Sequence, residues 1–222
     1  GKKFSTMHFG QSPLAQLKLH EIDAKKIKTA FYGAGAAISL FFSLAFFMRW
    51  DTYFRFHWSE MFGQIDPIFG HDVGFYVFRL PFLELVQNSL TSLVFFITVG
   101  IIILYIYSGA LSLQSIRSLS ASKDVKKHIF INLGIWFLLL SWGYYLERYN
   151  LLYNSTGAVF GASYVDISIQ LPVIWLLCGL TFLLGLFSFF QLYKDRLKWI
   201  IYAAAATILI GVIGNGLLPG MV

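Results

Sequence analysis

The side chains of this sequence that could perform acid–base or metal chemistry lie in two short polar stretches between long apolar runs. They are Asp66, His71, Asp72, Glu147, Arg148 and Asp166. A carboxylate or an imidazole can transfer a proton when it reaches a substrate within about 3 Å. Carboxylates are also the preferred ligands of calcium. If the two stretches meet in space, these six residues are candidates for an enzymatic site, an interaction site or a structural cluster.

A structural role explains the same residues more simply. Asp66-Pro67 followed by Gly70 is typical of a capped turn, in which the aspartate accepts backbone N–H groups and the proline sets φ. Calcium takes six to eight oxygen ligands, and the spacing here matches no calcium-loop pattern. The sequence therefore predicts structural turns rather than a metal site.

Patterns that would indicate a catalytic residue or a cofactor are missing from the sequence. HExxH, CxxC, GxSxG and a phosphate-binding loop do not occur. The single cysteine, Cys178, has no partner for a disulfide. His128 lies at the mouth of an apolar run, where an interfacial hydrogen bond is a simpler interpretation than haem ligation. We assign no catalytic residue, no metal ligand and no cofactor from the sequence.

The composition indicates that lipid is part of the solvent. Of the 222 residues, 57% are hydrophobic and 13% are charged, whereas a soluble domain has about 25% charged residues. A helix crosses a hydrocarbon core of about 30 Å with roughly 20 apolar residues. Because lipid leaves no partner for unpaired backbone groups, we expect an all-α membrane bundle of five helices. The predicted spans are 30–48, 83–107, 128–146, 171–193 and 199–218, after an interfacial segment at 1–29.

The distribution of basic residues predicts the orientation of these spans. Thirteen of the 17 lysines and arginines lie in 1–29, 108–127 and 194–198, and the other four are Arg49, Arg55, Arg79 and Arg148. The positive-inside rule places the richer segments in the cytoplasm. We therefore expect a cytoplasmic N-terminal end and an extracytoplasmic C-terminal end. This explanation of the net charge of +6 requires no nucleic acid and leaves membrane lipids as the expected partners.

The predicted spans carry no charged residue near their centres, which disfavours ion-coupled transport. Their polar residues are mild, and interhelical or backbone hydrogen bonds are their expected role. The leading hypothesis is a non-enzymatic membrane anchor or a subunit of a larger assembly, with other membrane proteins or copies of itself as partners. A channel or transporter and an enzyme at the outer membrane face are the alternatives. The polar residues concerned are Asn88, Thr91, Asn132, Ser141, Ser188 and Asn215.

The segment Asp66 to Phe82, DPIFGHDVGFYVFRLPF, is too charged for a span and too aromatic for an ordinary loop. Leu80-Pro81 is expected to open the next span, as Leu171-Pro172 does further along, because proline suits the first helical turn. We predict that Asp66 and Asp72 fix turns. The aromatic residues are predicted to lie along the membrane interface or to pack under the second outer loop. These are Phe69, Phe75, Tyr76, Phe78 and Phe82.

Two long stretches resemble the membrane region of the UPF0182 family. They are FGQIDPIFGHDVGFYVFRLPF at 62–82 and YYLERYNLLYNSTGAVFGASYVDISIQLP at 144–172. The family pattern has Asp where this chain has Glu147, Glu in place of Asn150 and Thr in place of Val165. The resemblance covers both outer loops and their adjacent spans.

Membership of that family would imply a multi-pass protein of a bacterial or archaeal cell membrane. Its members are expected to be longer, with about seven spans followed by a large extracytoplasmic domain. This chain would then lack the first two spans and end near the start of that domain. The resemblance implies an architecture and a location, but no reaction and no catalytic residue.

Overall fold

The computed structural model describes residues 24–107, 123–153 and 161–194. Within these ranges the chain is helical and has no strand beyond one isolated bridge between Ile65 and Asp72. This confirms the all-α prediction. The helices are α1 (Ala24–Met48), α2 (Trp50–His57), α3 (Leu80–Tyr107), α4 (Lys123–Asn150) and α5 (Leu171–Lys194).

Four of the five predicted spans are confirmed as helices long and apolar enough to cross a membrane. The spans are Lys28–Met48, Phe75–Tyr107, Asp124–Tyr153 and Asp166–Phe190. The helices extend past the predicted ends, because backbone hydrogen bonds continue through charged and polar residues beyond an apolar run. The fifth span at 199–218 and residues 1–23 of the interfacial segment lie outside the described residues. The short helix α2 was missed, since eight residues carry little periodicity.

The chain divides into two compact units. The first is Gly1–Trp50 with Val99–Lys126, and the second is Asp51–Thr98 with Lys127–Val222. In the first unit, none of the apolar window of α1 is buried. Its exposed side chains include Phe41 and Phe47, which is typical of a helix surrounded by lipid.

In the second unit, α4 packs between α3 and α5 through hydrogen bonds from side chains to the backbone of the neighbouring helix. Gln87 of α3 donates to the carbonyl oxygen of Leu139 on α4 at 2.9 Å. Ser188 Oγ on α5 donates to the carbonyl oxygen of Phe130 on α4 at 2.8 Å. Such bonds satisfy polar groups that lipid cannot. Ser188 pairs with Phe130 and Cys178 with Ser141, so α4 runs antiparallel to α5.

The expected role of the mild polar residues is confirmed for four of them. Ser141 and Ser188 donate to carbonyl oxygens of a neighbouring helix, and Thr91 and Asn132 donate to carbonyl oxygens of their own helix. These side chains therefore serve packing and backbone satisfaction. Asn215 lies outside the described residues.

Small residues allow the close approach of α3 to α4. A Cβ atom added to Gly143 would lie 2.5 Å from Gln87 Nε2, and that nitrogen is already held by Leu139 and by Thr91 Oγ1. We expect Gly143→Ala to lower the free energy of unfolding by about 1 to 2 kcal/mol, as overpacking does. Urea unfolding in detergent measures this effect. Gly179→Ala is the matched control because nothing lies within 4 Å of its added Cβ, and an equal loss there would contradict the packing explanation.

The helices α3 and α5 begin in the same unusual way. Each follows a π-helical turn, Phe75–Arg79 before α3 and Asp166–Gln170 before α5. The N–H of Leu80 donates to the carbonyl oxygen of Phe75, and that of Leu171 to Asp166. The next residue in both cases is a proline, which has no N–H to continue the α-helical register. The α-helical geometry begins at Leu-Pro as predicted, but the spans themselves begin earlier, at Phe75 and Asp166, because the preceding residues are helical rather than loop.

Candidate functional site

The loop before α3 folds back on itself as a narrow hairpin. Asp66 N–H donates to the carbonyl oxygen of His71 at 2.8 Å, and Val73 N–H donates to that of Gln64 at 2.9 Å. At the tip, Asp66 Oδ2 accepts from Phe69 N–H at 2.6 Å. Gly70 has φ of +73°, which glycine adopts without steric cost. Asp66 thus caps the turn with its side chain.

Asp72 fixes the base of this hairpin. Its carboxylate accepts the backbone N–H groups of Phe62 at 3.0 Å, Gly63 at 2.8 Å and Gly74 at 2.7 Å. The bond from Phe62, followed by that from Gly74, lowers the pKa of Asp72 below its usual value of 3.8. Both aspartates of the hairpin are therefore occupied by backbone donors.

Acidification is expected to loosen the hairpin only at low pH. A folded-state pKa below the unfolded value means that ionised Asp72 stabilises the loop above about pH 4, and that this stabilisation is lost as the pH falls through the lowered pKa. Hydrogen exchange of the Phe62 and Gly74 amides across this range measures the effect. Asp72→Asn is expected to raise their exchange at neutral pH. Protection that is independent of pH in both proteins would contradict the role of the carboxylate.

Aromatic side chains from the hairpin pack around the end of α4. Tyr149, only 2% exposed, lies at the centre, with ring centres of Phe69 and Phe75 each at 5.1 Å. His71 stacks on Phe75 at 4.5 Å. Such edge-to-face and stacked pairs add to the energy of burial. We call this cluster the aromatic cap; its members are Phe69, His71, Phe75, Tyr76, Tyr145 and Tyr149.

Polar tips of the cap residues bond to one another. His71 Nε2 and Tyr149 OH lie 3.1 Å apart. Tyr76 OH donates to Asp66 Oδ2 at 3.1 Å, and Tyr153 OH donates to the carbonyl oxygen of Tyr76 at 2.8 Å. These bonds connect the hairpin to α4 and to the residues just after it. Of the five aromatics expected at the interface or under the second outer loop, Phe69, Phe75 and Tyr76 pack instead on Tyr149 of α4. Phe78 stacks on Phe62 and Phe82 on Phe56. Residues 154–160 of the second outer loop lie outside the described residues.

Arg148 lies among aromatic rings at the same end of α4. Its Cζ is 3.9 Å from the ring centre of Tyr145, 4.5 Å from that of Tyr149 and 4.8 Å from that of Trp175. Nη2 donates to Tyr149 OH. Nε is buried and has no hydrogen-bond partner. The cation is thus stabilised by ring faces, without an ion pair to a carboxylate of the described chain.

Glu147 and Asp166 have different surroundings. Glu147 is exposed on the last turn of α4. Asp166, 1% exposed, accepts from Ser163 N–H at 2.7 Å, and its own N–H donates to Ser163 Oγ at 3.2 Å. These reciprocal bonds resemble a capping box at the start of the π-helical turn.

The six candidates divide among four places. Asp66, His71 and Arg148 meet in or beside the aromatic cap, and Asp72 holds the base of the hairpin. Asp166 bonds to Ser163 within its own segment, and Glu147 is exposed on the last turn of α4. In 24–107, 123–153 and 161–194, no three His, Cys, Asp or Glu side chains are arranged to hold a metal ion. Sequence reasoning missed Tyr149 and Trp175, although the dense aromatic run at 144–153 was a signal for the first.

Long apolar helices and a packed cap at one end of three of them define the class of protein, a multi-pass helical membrane protein. The chain belongs to UPF0182, described as an uncharacterised protein family, whose model matches residues 4–222. The predicted family is therefore confirmed.

Curated relatives show how much of a family member this chain covers. A UPF0182 protein of Salinibacter ruber is 31% identical over 86% of this chain and 20% of its own length. One of Cupriavidus necator is 32% identical over 88% of this chain and 21% of its own length. One of Synechococcus is 38% identical over 62% of this chain and 16% of its own length. The chain spans about a fifth of these relatives, and no solved structure matches it.

Proposed function

We propose that this chain is a non-enzymatic membrane module that anchors an extracytoplasmic domain or forms one subunit of a larger membrane assembly. The observation that carries the proposal is the aromatic cap. It ties the hairpin, α4 and the start of α5 together through Tyr149 and Arg148. A clamped set of helix ends is suited to hold a neighbouring domain or subunit in a defined position.

The chemistry of the cap favours this proposal over an enzyme at the membrane face. A general acid or base must have a lone pair or proton available to a substrate. Asp66 and Asp72 accept backbone N–H groups, and His71 is bonded to Tyr149. These groups serve the fold in the present arrangement.

The bundle also offers little to a transport pathway. Ser141, a candidate lining residue, donates to the carbonyl oxygen of Cys178 at 2.9 Å. Gln87, buried in α3, is held by α4. These polar groups are used between helices, where they fix packing.

The experiment is purification of the tagged chain from native membranes in mild detergent, with parallel reconstitution into liposomes. The proposal expects a membrane protein copurifying at fixed stoichiometry, or a defined homo-oligomer, and no solute flux in the liposomes. A matched sample carrying Gly74→Ala, which disturbs the hairpin at the cap, is expected to lose the stoichiometric partner. Transport of an ion or solute by the purified chain alone would overturn the proposal.

We further propose that the protein resides in the cell membrane with the aromatic cap on the extracytoplasmic side and the N-terminal end in the cytoplasm. The imbalance of lysine and arginine supports this orientation. Glu60→Cys in a Cys178→Ser background tests it with a membrane-impermeant maleimide. Labelling of intact cells is expected at residue 60, and not for Asp124→Cys at the opposite end of α4. The reverse labelling pattern would refute the orientation.

A further inference from the structure

We propose that Arg148 is a binding site for a phosphate group at the membrane interface. The surroundings of this one guanidinium favour an anionic ligand. Its donors, its charge and its position each point to an oxyanion.

The hydrogen-bond donors of Arg148 are incompletely used. A guanidinium has five N–H donors that lie in its plane. One nitrogen, Nη2, donates to Tyr149 OH, and the buried Nε has no acceptor. A buried donor without a partner destabilises the protein. A ligand that accepts in the guanidinium plane would give further donors of Arg148 an acceptor.

Aromatic rings contact the face of a guanidinium, whereas its N–H donors lie along its edge. Tyr145, Tyr149 and Trp175 offer ring contacts within 4.8 Å of Cζ. A tetrahedral oxyanion binds instead through two parallel N–H bonds along the edge. Stacking on the rings and binding of a phosphate are therefore compatible. The rings also restrict the orientation of the planar guanidinium and its N–H donors.

The charge of Arg148 also lacks a counterion. Arg55 shows the ordinary arrangement, with Asp51 at 3.4 Å. Arg148 has no such pair with a carboxylate of the described chain, although it is half-buried. Ring faces offset part of the free-energy cost of removing a cation from water. A bound anion would offset the rest.

The position of the site fits the depth of lipid headgroups. Arg148 lies at the end of a membrane span, beside Tyr145 and Trp175, which are 41% and 47% exposed. Tyrosine and tryptophan are enriched where headgroups begin. The phosphate of a lipid headgroup is therefore one source of the ligand, and a soluble phosphate ion is the other.

Lipid titration followed by native mass spectrometry of the whole chain tests the proposal. The probes are phosphatidylglycerol, whose phosphate carries the net charge, phosphatidylcholine, whose phosphate is neutralised by choline, and inorganic phosphate. Arg148→Gln is expected to weaken binding of the recognised probe about tenfold, the effect of losing a charge-assisted hydrogen bond. Arg148→Lys should retain only part of the binding affinity, because lysine keeps the charge but lacks the paired N–H donors of a guanidinium. Arg79→Gln, an exposed arginine just before α3, is the matched control and should bind as the unchanged protein does.

The outcomes separate the sources of phosphate. Arg148-dependent binding of phosphatidylglycerol identifies a lipid site, and Arg148-dependent binding of inorganic phosphate identifies a soluble anion site. Binding of neither, or an equal loss in Arg79→Gln, would show that Arg148 has a structural role only and would overturn the proposal.

A second measurement applies if Arg148→Gln does not fold. Trp175 lies beside the guanidinium, so its fluorescence, taken as the difference between the unchanged protein and Trp175→Phe, reports on the site. Brominated phosphatidylglycerol is expected to quench this signal more strongly than brominated phosphatidylcholine, or inorganic phosphate to reduce the quenching by competition. Equal quenching by both lipids without an effect of phosphate would contradict the proposal.

Discussion

Gly74→Ala is expected to lower the free energy of unfolding of the second unit by about 2 to 3 kcal/mol, at the upper end of overpacking effects. A Cβ atom at this position would lie 2.2 Å from the carbonyl oxygen of Glu60 and 2.9 Å from Asp72 Oδ1. The first of these is a backbone atom and cannot rotate away as a side chain can. The backbone of Gly74 itself is ordinary, with φ of −59° and ψ of −28°. The whole effect therefore arises from space rather than from glycine's conformational freedom.

Urea unfolding in detergent, together with limited proteolysis of the hairpin, measures this loss. Gly100→Ala is the control, since its added Cβ meets nothing within 4 Å; in the interior of α3 it is expected to leave the stability unchanged or raise it by up to about 1 kcal/mol. Faster cleavage between residues 60 and 74 should accompany the lower stability. Unchanged unfolding and cleavage would mean that the hairpin can shift away from Gly74 at no cost.

Tyr149→Phe is expected to destabilise the aromatic cap by about 1 to 2 kcal/mol, because two half-buried polar groups each lose a hydrogen-bond partner. The substitution removes one oxygen and keeps the ring. That oxygen lies 3.1 Å from His71 Nε2 and accepts from Arg148 Nη2. Because Tyr149 is 2% exposed, water cannot readily replace it.

Thermal unfolding followed by near-ultraviolet circular dichroism reports directly on the cap. Tyr164→Phe removes the same oxygen from a ring that is 81% exposed and should leave the midpoint unchanged. A double-mutant cycle with His71→Phe is expected to show coupling, because the two side chains share one hydrogen bond. Additive effects of Tyr149→Phe and His71→Phe would argue that the bond contributes nothing.

The hairpin shows how far local sequence patterns extend. Asp66-Pro67 with Gly70 predicted a capped turn. The hydrogen bond that closes it joins Phe69 N–H to Asp66, only three residues earlier in the chain. Asp72 reaches Phe62, ten residues away, and no short pattern indicates that partner. The prediction was accurate where the partner is local, because a turn selects its residues by their own φ and side-chain reach.

The π-helical turns before α3 and α5 show a different limit. Proline at the second α-helical position was interpreted as the start of each span, and α3 and α5 do begin at Leu80 and Leu171, but the continuous helical spans begin at Phe75 and Asp166. The missing N–H of Pro81 interrupts the α-helical register but does not require the chain to leave the helix. The prolines in the sequence indicate where the α-helical hydrogen bonding is interrupted. The helix nevertheless continues as a π-helical turn on the N-terminal side of each proline, where Tyr76 and Asp166 are buried.

The sequence by itself determined the helical class, four described spans and the family, because lipid imposes length and apolarity on each span independently of its neighbours. Only the tertiary structure decided which side chains meet. His71 and Tyr149 are 78 residues apart, and Arg148 reaches Trp175 on the next membrane helix. Such pairs depend on how each helix is rotated and shifted against the next, which side-chain packing sets and hydropathy does not record. For that reason the sequence identified the candidate residues. It did not identify the aromatic cap that joins some of them, nor the buried Nε of Arg148 that lacks a hydrogen-bond partner.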